Sequence, residues 1–148
     1  MSSRIKGTAV FLAILNVGTG QSPCQSPSDP WHVEATPSSL SEEVQFSNGD
    51  AHLTGTVYLP KTGNRLPAVV VLHHAGLTTR DANLYQHLCE GLPAMGIAVL
   101  VYDRRGSGQS SGHLDKADYE TLADDAVAGQ YTLSKFSRID PTKIGCWG

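Results

Sequence analysis

Three short, mainly apolar runs alternate with two segments of helical periodicity, and this alternation constrains the fold more than any other feature. The runs are AVVVL at 68–72, IAVLVY at 97–102 and KIGCW at 143–147. Apolar runs of this length are typical of strands that are buried on both faces. Buried strands separated by helices form parallel sheets with right-handed crossovers. The sequence therefore predicts an α/β fold.

Two helices are predicted between these strands. Asp81 is placed to cap the first, which carries Leu84, Leu88 and Leu92 on one side until Pro93 ends or kinks it. The second begins near Asp118 and is ended by Asp140-Pro141. Its apolar face recurs at steps of three and four and consists of Tyr119, Leu122, Ala126, Gly129, Leu133 and Phe136.

A β-hairpin is predicted ahead of the first buried strand. VQF and HLTGTVYLP flank the sequence Ser47-Asn48-Gly49-Asp50, in which Asn-Gly is a strong hairpin signal. The predicted order is therefore hairpin, strand, helix, strand, helix, strand.

The N-terminus has the order of a secretory signal peptide. MSSRIK supplies two cations, an apolar run of 11 residues follows, and GTGQS offers small residues for cleavage. We expect a signal peptide over residues 1–22, a Pro- and Ser-rich linker over 23–42 and a folded domain over 43–148. The mature protein would be secreted or periplasmic, without stable membrane insertion. A buried or membrane-anchoring N-terminal helix and a lipoprotein anchored at Cys24 remain as alternatives.

Charge, cysteine and histidine content favour a protein without nucleic acid or metal, and no motif in the chain implies an organic cofactor. The formal net charge is −3, and no basic cluster occurs beyond Arg104-Arg105. The three cysteines are too few and too scattered for a disulfide framework or a zinc site, and we expect Cys89 and Cys146 to be small buried hydrophobes. His73 and His74 are adjacent, so on a strand they point to opposite faces and cannot share one metal. Four other histidines are expected to be surface or structural residues: His32, His52, His87 and His113.

The sequence GQSSG at 108–112 matches the serine hydrolase pattern G-x-S-x-G, but its setting disagrees with that chemistry. A nucleophile elbow needs a strand directly before it and a helix directly after it. Here five residues, Asp103 to Ser107, separate the strand from Gly108, and helical periodicity starts only near Asp118. The same argument disfavours a dinucleotide-binding loop in GSGQSSG, because such a loop joins its strand directly to its helix. Ser110 is therefore expected to belong to a structural loop.

DRRGSGQS at 103–110 resembles the D-x-R-G-x-G-x-S loop that follows the fourth strand in many α/β-hydrolases. VVVLHHAG at 69–76 is similar to the third strand of that fold as it enters the H-G-x-G oxyanion segment. The opening hairpin with VYLP is most similar to the dienelactone hydrolase and prolyl-oligopeptidase-like branches. The resemblance covers Glu43 to Gly148. It implies the N-terminal half of an α/β-hydrolase fold, in which a hairpin and a parallel βαβαβ sheet form a three-layer sandwich.

The resemblance also implies site residues. The backbone N–H of Ala75 would be an oxyanion donor, with His74 and Gly76 shaping the turn, although His74 stands where the family has glycine. KIGCWG at 143–148 looks like the fifth strand entering the elbow, with Gly148 as the first glycine of G-x-S-x-G. The serine would then lie two positions past Gly148, and the acid and the histidine later still.

These features together predict an exported serine hydrolase. It would act on an ester, thioester or peptide bond of a small-molecule or peptide substrate through an acyl-enzyme. The 148 residues would be an inactive N-terminal portion truncated before the nucleophile. Two alternatives stay open: a non-catalytic fragment or binding protein with the same sheet, and a nucleotide-binding α/β domain.

Overall fold

A computed structural model describes residues 39–73 and 79–148. The strands are β1 (Ser39–Asn48), β2 (Ala51–Pro60), β3 (Leu66–Val71), β4 (Ala98–Tyr102) and β5 (Ile139–Trp147). The helices are α1 (Asn83–Ala94) and α2 (Tyr119–Ser134), and a single 3₁₀ turn at Leu114–Lys116 precedes α2. None of these described helices is long and apolar enough to cross a membrane.

The described strands form one sheet in the order β1-β2-β4-β3-β5. β1 pairs with β2 and β2 pairs with β4 in antiparallel fashion, whereas β3 is parallel to both β4 and β5. This arrangement confirms the predicted hairpin followed by a parallel βαβαβ unit.

The two helices pack on opposite faces of the sheet and so form three layers. Val70 and Leu100 point to the side of α2, where they pack with Ala126 and Leu133. Their strand neighbours Val71, Val99 and Val101 point to the side of α1, where they pack with Tyr85, Leu88 and Cys89. Because alternate residues face opposite layers, these strands are apolar throughout, as the sequence predicts.

The hairpin turn lies where Asn-Gly indicates it. Asn48 pairs with Ala51, and Gly49 has φ +60°, a backbone conformation that glycine adopts without strain. β1 begins at Ser39 rather than at Glu43, so strand pairing starts inside the stretch predicted to be a linker.

The first helix is shifted relative to its prediction. Its N-cap residue is Ala82, and no side chain caps it, so the predicted cap at Asp81 was wrong. Leu84 is 46% exposed because the face against the sheet runs through Tyr85, Leu88 and Cys89 instead. Pro93 is the penultimate helical residue, as expected of a residue that ends a helix.

The second helix begins as predicted and ends earlier. Asp118 caps it by accepting a 2.8 Å hydrogen bond from the Thr121 backbone N–H. Tyr119 is 93% exposed, so its assignment to the apolar face was wrong. The helix ends at Ser134, and Asp140-Pro141 lies within β5 rather than at the helix end.

Two residues of β5 have environments that the sequence did not suggest. Cys146 is exposed, which corrects the expectation that it is buried, whereas Cys89 is buried as predicted. Asp140 is almost inaccessible and accepts hydrogen bonds from the backbone N–H and the hydroxyl of Thr142 and from the Arg65 guanidinium. These bonds, those from Thr142 above all, lower the pKa of Asp140 to about 2.

Candidate active site

The carboxyl ends of the three parallel strands meet at one edge of the sheet. His73 follows β3, Asp103 follows β4 and Gly148 follows β5. In open α/β sheets ligands bind outside this edge, because the loops that leave the strands converge there. The candidate site is therefore built from these three positions and the residues that hold them.

His73 is a neutral ring that is bonded on both sides. Its Nε2–H donates to the Tyr102 carbonyl, and its Nδ1 accepts from the Tyr85 hydroxyl at 3.1 Å. Burial lowers the pKa of His73 because it disfavours the charged ring; the bond to Tyr102 opposes this shift and nearby Arg104 adds to it. With both nitrogens engaged, the ring anchors the end of β3 to β4 and is not free to act as a base.

Asp103 joins three segments at the end of β4. Its Oδ1 accepts the Arg80 backbone N–H at 2.8 Å, and its Oδ2 accepts the Gln109 backbone N–H at 3.0 Å. Its own N–H donates to the Thr54 carbonyl of β2. Gly108 has φ +54°, and a Cβ there would lie 2.5 Å from the Asp103 carboxylate, so this turn requires glycine.

Ser110 has the structural role that its loop setting predicts. Its hydroxyl donates to the Asp103 carbonyl at 2.7 Å and accepts the Thr54 backbone N–H at 2.9 Å. The side chain is 8% exposed. The hydroxyl therefore bridges β2 and β4, and it is neither accessible nor activated as a nucleophile.

Arg105 and Asp125 form a buried two-point ion pair. Arg105 donates through Nε at 2.8 Å and through Nη2 at 2.6 Å, and Asn48 donates to the same carboxylate at 2.9 Å. The hydrogen bonds that Arg105 donates to Asp125 raise the pKa of Arg105. The pair ties the loop after β4 to α2 and to the hairpin turn. This ion pair was not predicted from the sequence, although Asp125 lies next to Ala126 on the apolar face of α2, where a carboxylate needs a partner.

A cavity of about 600 Å³ opens at this edge, between the ends of β3 and β4 and the first turns of α2. Its lining combines the strand-end residues with apolar and polar residues of the helix: Leu72, His73, Tyr102, Arg104, Ala117, Asp118, Tyr119, Leu122 and Ala123. The site thus has space for a small organic group next to His73.

Gly148 lies close against β3. The Leu72 N–H donates to the Trp147 carbonyl at 2.7 Å, which holds the ends of β3 and β5 together. A Cβ on Gly148 would lie 3.0 Å from the Leu72 Cβ, closer than side-chain carbons normally approach. The position therefore favours a residue without a side chain.

The predicted oxyanion residues His74, Ala75 and Gly76 lie outside the described residues. Residues on both sides of them are described, and His73 and Arg80 are both bonded to the end of β4. Within 39–73 and 79–148, no group of histidines, cysteines and carboxylates is placed to hold a metal ion.

The sheet order, the two-sided helix packing and the site at the carboxyl edge define an α/β-hydrolase. The chain belongs to this superfamily, and its residues 64–137 match the family model described as serine aminopeptidase, S33.

Curated relatives agree with this assignment. An uncharacterized Mycobacterium tuberculosis protein is 34% identical over 108 residues, which are 72% of this chain and 36% of the relative. The quorum-quenching protein AidA of Acinetobacter baumannii is 30% identical over 72% of this chain and 34% of its own length. The thiohydrolase apmlB of Arthrinium phaeospermum is 32% identical over 74% of this chain and 35% of its own length. The chain thus spans about a third of the length of these relatives.

Solved structures share the fold. A hypothetical protein of Pseudomonas aeruginosa superposes with a TM-score of 0.63 at 25% identity, over 74% of this chain and 35% of that one. An esterase of Pyrobaculum calidifontis superposes with a TM-score of 0.57 at 23% identity, over 72% of this chain and 34% of that one.

Proposed function

We propose that this chain is the N-terminal part of a serine hydrolase that cleaves an ester, thioester or peptide bond. Its homologues are hydrolases of the α/β-hydrolase family, and one relative is named a thiohydrolase. The observation that carries the proposal is the close approach of Gly148, at the carboxyl end of β5, to Leu72, which follows β3. A nucleophile elbow needs a small residue there, because the chain turns sharply between a strand and a helix.

In this proposal the chain supplies the sheet and one oxyanion donor. The serine two positions past Gly148 attacks the carbonyl carbon, and a histidine oriented by an acid, both later in the full protein, moves the proton. The Ala75 N–H stabilises the oxyanion, and His74 and Gly76 shape its turn. His73 is distinct from the catalytic histidine, because Tyr85 and Tyr102 occupy both of its ring nitrogens.

A fluorophosphonate probe tests the proposal in the full-length protein, because it labels activated serines covalently. We expect the adduct on the serine two positions past Gly148. Replacing that serine by alanine should lower kcat by about 10⁴-fold or more, as loss of a triad nucleophile does. Ser110→Ala is the matched control and should lower kcat by less than about tenfold, since it costs only loop hydrogen bonds. An adduct mapped to Ser110 would overturn the proposal.

We also propose that the protein is exported. This proposal is supported by the order of features at the N-terminus: two cations, an 11-residue apolar run and small residues, followed by a Pro- and Ser-rich stretch. We expect the mature protein to start near Gly20 to Cys24 and to occur outside the cytoplasm. Mass spectrometry of fractionated cells checks this, and an intact N-terminal peptide on cytoplasmic protein would refute it.

A further inference from the structure

Five cations lie at the edge of the sheet opposite the candidate active site. They belong to the segment before β3, residues 61–65, and to the segment that leaves α2 and enters β5, residues 135–143. Because β3 and β5 are parallel, both segments lie at the amino ends of these strands. The cations, which together form the basic edge, are Lys61, Arg65, Lys135, Arg138 and Lys143.

Hydrogen bonds join the two segments into one surface. Arg138 donates through Nη2 to the Pro60 carbonyl at 2.6 Å and through Nε to the Gly63 carbonyl at 3.1 Å. Arg65 donates to the Asp140 carboxylate at 2.9 Å. The Arg65–Asp140 bond joins residues 75 positions apart, so the cluster exists only in the folded chain and is not visible in the sequence.

The basic edge is positively charged although the whole chain has a formal net charge of −3. Asp140 is the one acid in residues 61–65 and 135–143, and it is 1% exposed. Five cations less this carboxylate leave a formal charge of +4. The side chains of Arg65 and Lys143 are 79% and 59% exposed, and Lys61 and Lys135 are also exposed, so this charge faces solvent.

Exposed apolar and aromatic side chains lie at the same edge. Met95 follows α1, shortly before β4 begins, and is 69% exposed. Leu40, near the start of β1, is 50% exposed. Tyr131, in the last turn of α2, is 65% exposed, and the Lys135 ammonium lies 4.2 Å from its ring centre. Cations beside exposed apolar and tyrosine side chains are typical of surfaces that bind a membrane interface.

We propose that the basic edge binds the anionic headgroups of a phospholipid membrane and so places the protein at the membrane surface without insertion. This inference goes beyond hydrolysis and does not depend on it. Each Lys or Arg near an anionic membrane surface strengthens binding by about fivefold. A soluble acidic polymer would use the cations alone, whereas a membrane also receives Met95 and Leu40. The candidate active site lies at the carboxyl edge and would face away from the lipid.

Co-sedimentation of the full-length protein with lipid vesicles tests this proposal. We expect binding to vesicles of about one-third phosphatidylglycerol and two-thirds phosphatidylcholine, and much weaker binding to pure phosphatidylcholine. High salt should release the protein from the anionic vesicles, because salt screens exposed charges.

Substitution of exposed lysines locates the binding surface. Lys135→Gln should weaken binding to the anionic vesicles by about fivefold, and Lys61→Gln combined with Lys135→Gln by about 25-fold. Lys116→Gln is the matched control, because it removes an exposed lysine in the 3₁₀ turn at the opposite edge. It should change binding by less than about twofold, since the attraction falls off within a Debye length. Unchanged binding in the Lys61 and Lys135 double variant would overturn the role of the basic edge.

Met95→Ser separates a membrane from another anionic partner. It should weaken vesicle binding severalfold, because an exposed methionine is stabilised when it enters the interface. Binding to duplex DNA and to polyglutamate, both soluble polyanions, should be weaker than binding to the vesicles and insensitive to Met95→Ser. Tighter binding to either polyanion, with no effect of Met95→Ser on vesicle binding, would overturn the membrane proposal in favour of a soluble acidic partner.

Discussion

The buried polar side chains at the carboxyl edge each make at least two hydrogen bonds. Asp103 binds the backbone of Arg80 and Gln109, Ser110 binds Asp103 and Thr54, and Asp125 binds Arg105 and Asn48. A buried polar group costs free energy unless it is bonded, so these networks hold one arrangement of the loop after β4 and disfavour others.

His73 gives the stability of the protein a specific pH dependence. Its folded-state pKa lies below the ordinary value of 6.5, because the buried ring resists protonation. The unfolded chain therefore binds the proton more readily, and the free energy of unfolding should fall as the pH is lowered from about 6.5 toward the folded-state pKa. Urea unfolding of the full-length protein at several pH values measures this. His73→Gln should flatten this pH dependence of the free energy of unfolding. His113→Gln is the control at an exposed site and should retain it. The same slope in the wild type and both variants would show that His73 does not cause the pH dependence.

The residue-scale networks were only partly predictable. The structural role of Ser110 follows from the sequence, because a nucleophile needs a strand and a helix directly beside it. The bond between Asp103 and the Arg80 amide could not be predicted, since it joins residues 23 positions apart through a backbone donor that carries no residue-type signal. The predicted roles of His74, Ala75 and Gly76 remain predictions.

At the scale of elements, Gly129 lets α2 approach the sheet closely. A Cβ at Gly129 would lie 3.1 Å from a Leu100 methyl group, 3.5 Å from Val70 and 3.6 Å from Phe46. A Cβ added to Gly91 in α1 would have no described neighbour within 4 Å. The two helices therefore carry glycine for different reasons, and only Gly129 is required by packing.

Substitution by leucine at both positions tests this difference. Gly91→Leu should stabilise the full-length protein by about 0.5–1 kcal/mol, because glycine is a poor helix former and the site has room. Gly129→Leu should destabilise it by about 1–3 kcal/mol or more, since the side chain must displace core atoms. Chemical denaturation of both variants gives the comparison, and equal effects would show that α2 does not lie as close to the sheet.

Element order and strand positions were predictable, whereas the exact helix faces and ends were not. Apolar runs identify β3 and β4 because both of their faces are covered. Periodicity defines a helix face only to within about one residue on either side. Leu84 and Tyr119 were therefore predicted to face the sheet, although both side chains are exposed to solvent. The end of α2 was predicted too late, because Asp140-Pro141 was interpreted as a helix stop. Asp140 instead lies in β5, where its carboxylate accepts hydrogen bonds from Thr142 and Arg65.

At the scale of the whole described sheet, the two edges differ in character. β1 carries Glu42 and Glu43 and is mostly polar, which discourages pairing with other chains. In β5, Gly145, Cys146 and Trp147 are exposed, and among the described strands β5 pairs with β3 alone. The β5 edge is therefore the one suited to pair with a further strand.

Residues 39–148 expressed alone should associate through β5 and show no ester hydrolysis. We expect oligomers in size-exclusion chromatography with light scattering. Cys146→Lys should reduce association, because a charge on an edge strand opposes strand addition, and Gln45→Lys on β1 should not. A monomeric wild-type fragment with a sharp thermal transition would contradict this expectation.

The strand order has a consequence for the nascent chain. β3 is synthesised before both of its sheet neighbours, since β4 and β5 follow it along the chain, whereas β2 can pair with β1 at once. At a translation rate of about 5–20 residues per second, several seconds pass between the synthesis of β3 and that of β5. During that interval its valines are exposed, and the edge that brings His73, Asp103 and Gly148 together does not yet exist. Slower translation after β3 should therefore lengthen the period in which the growing chain depends on chaperones.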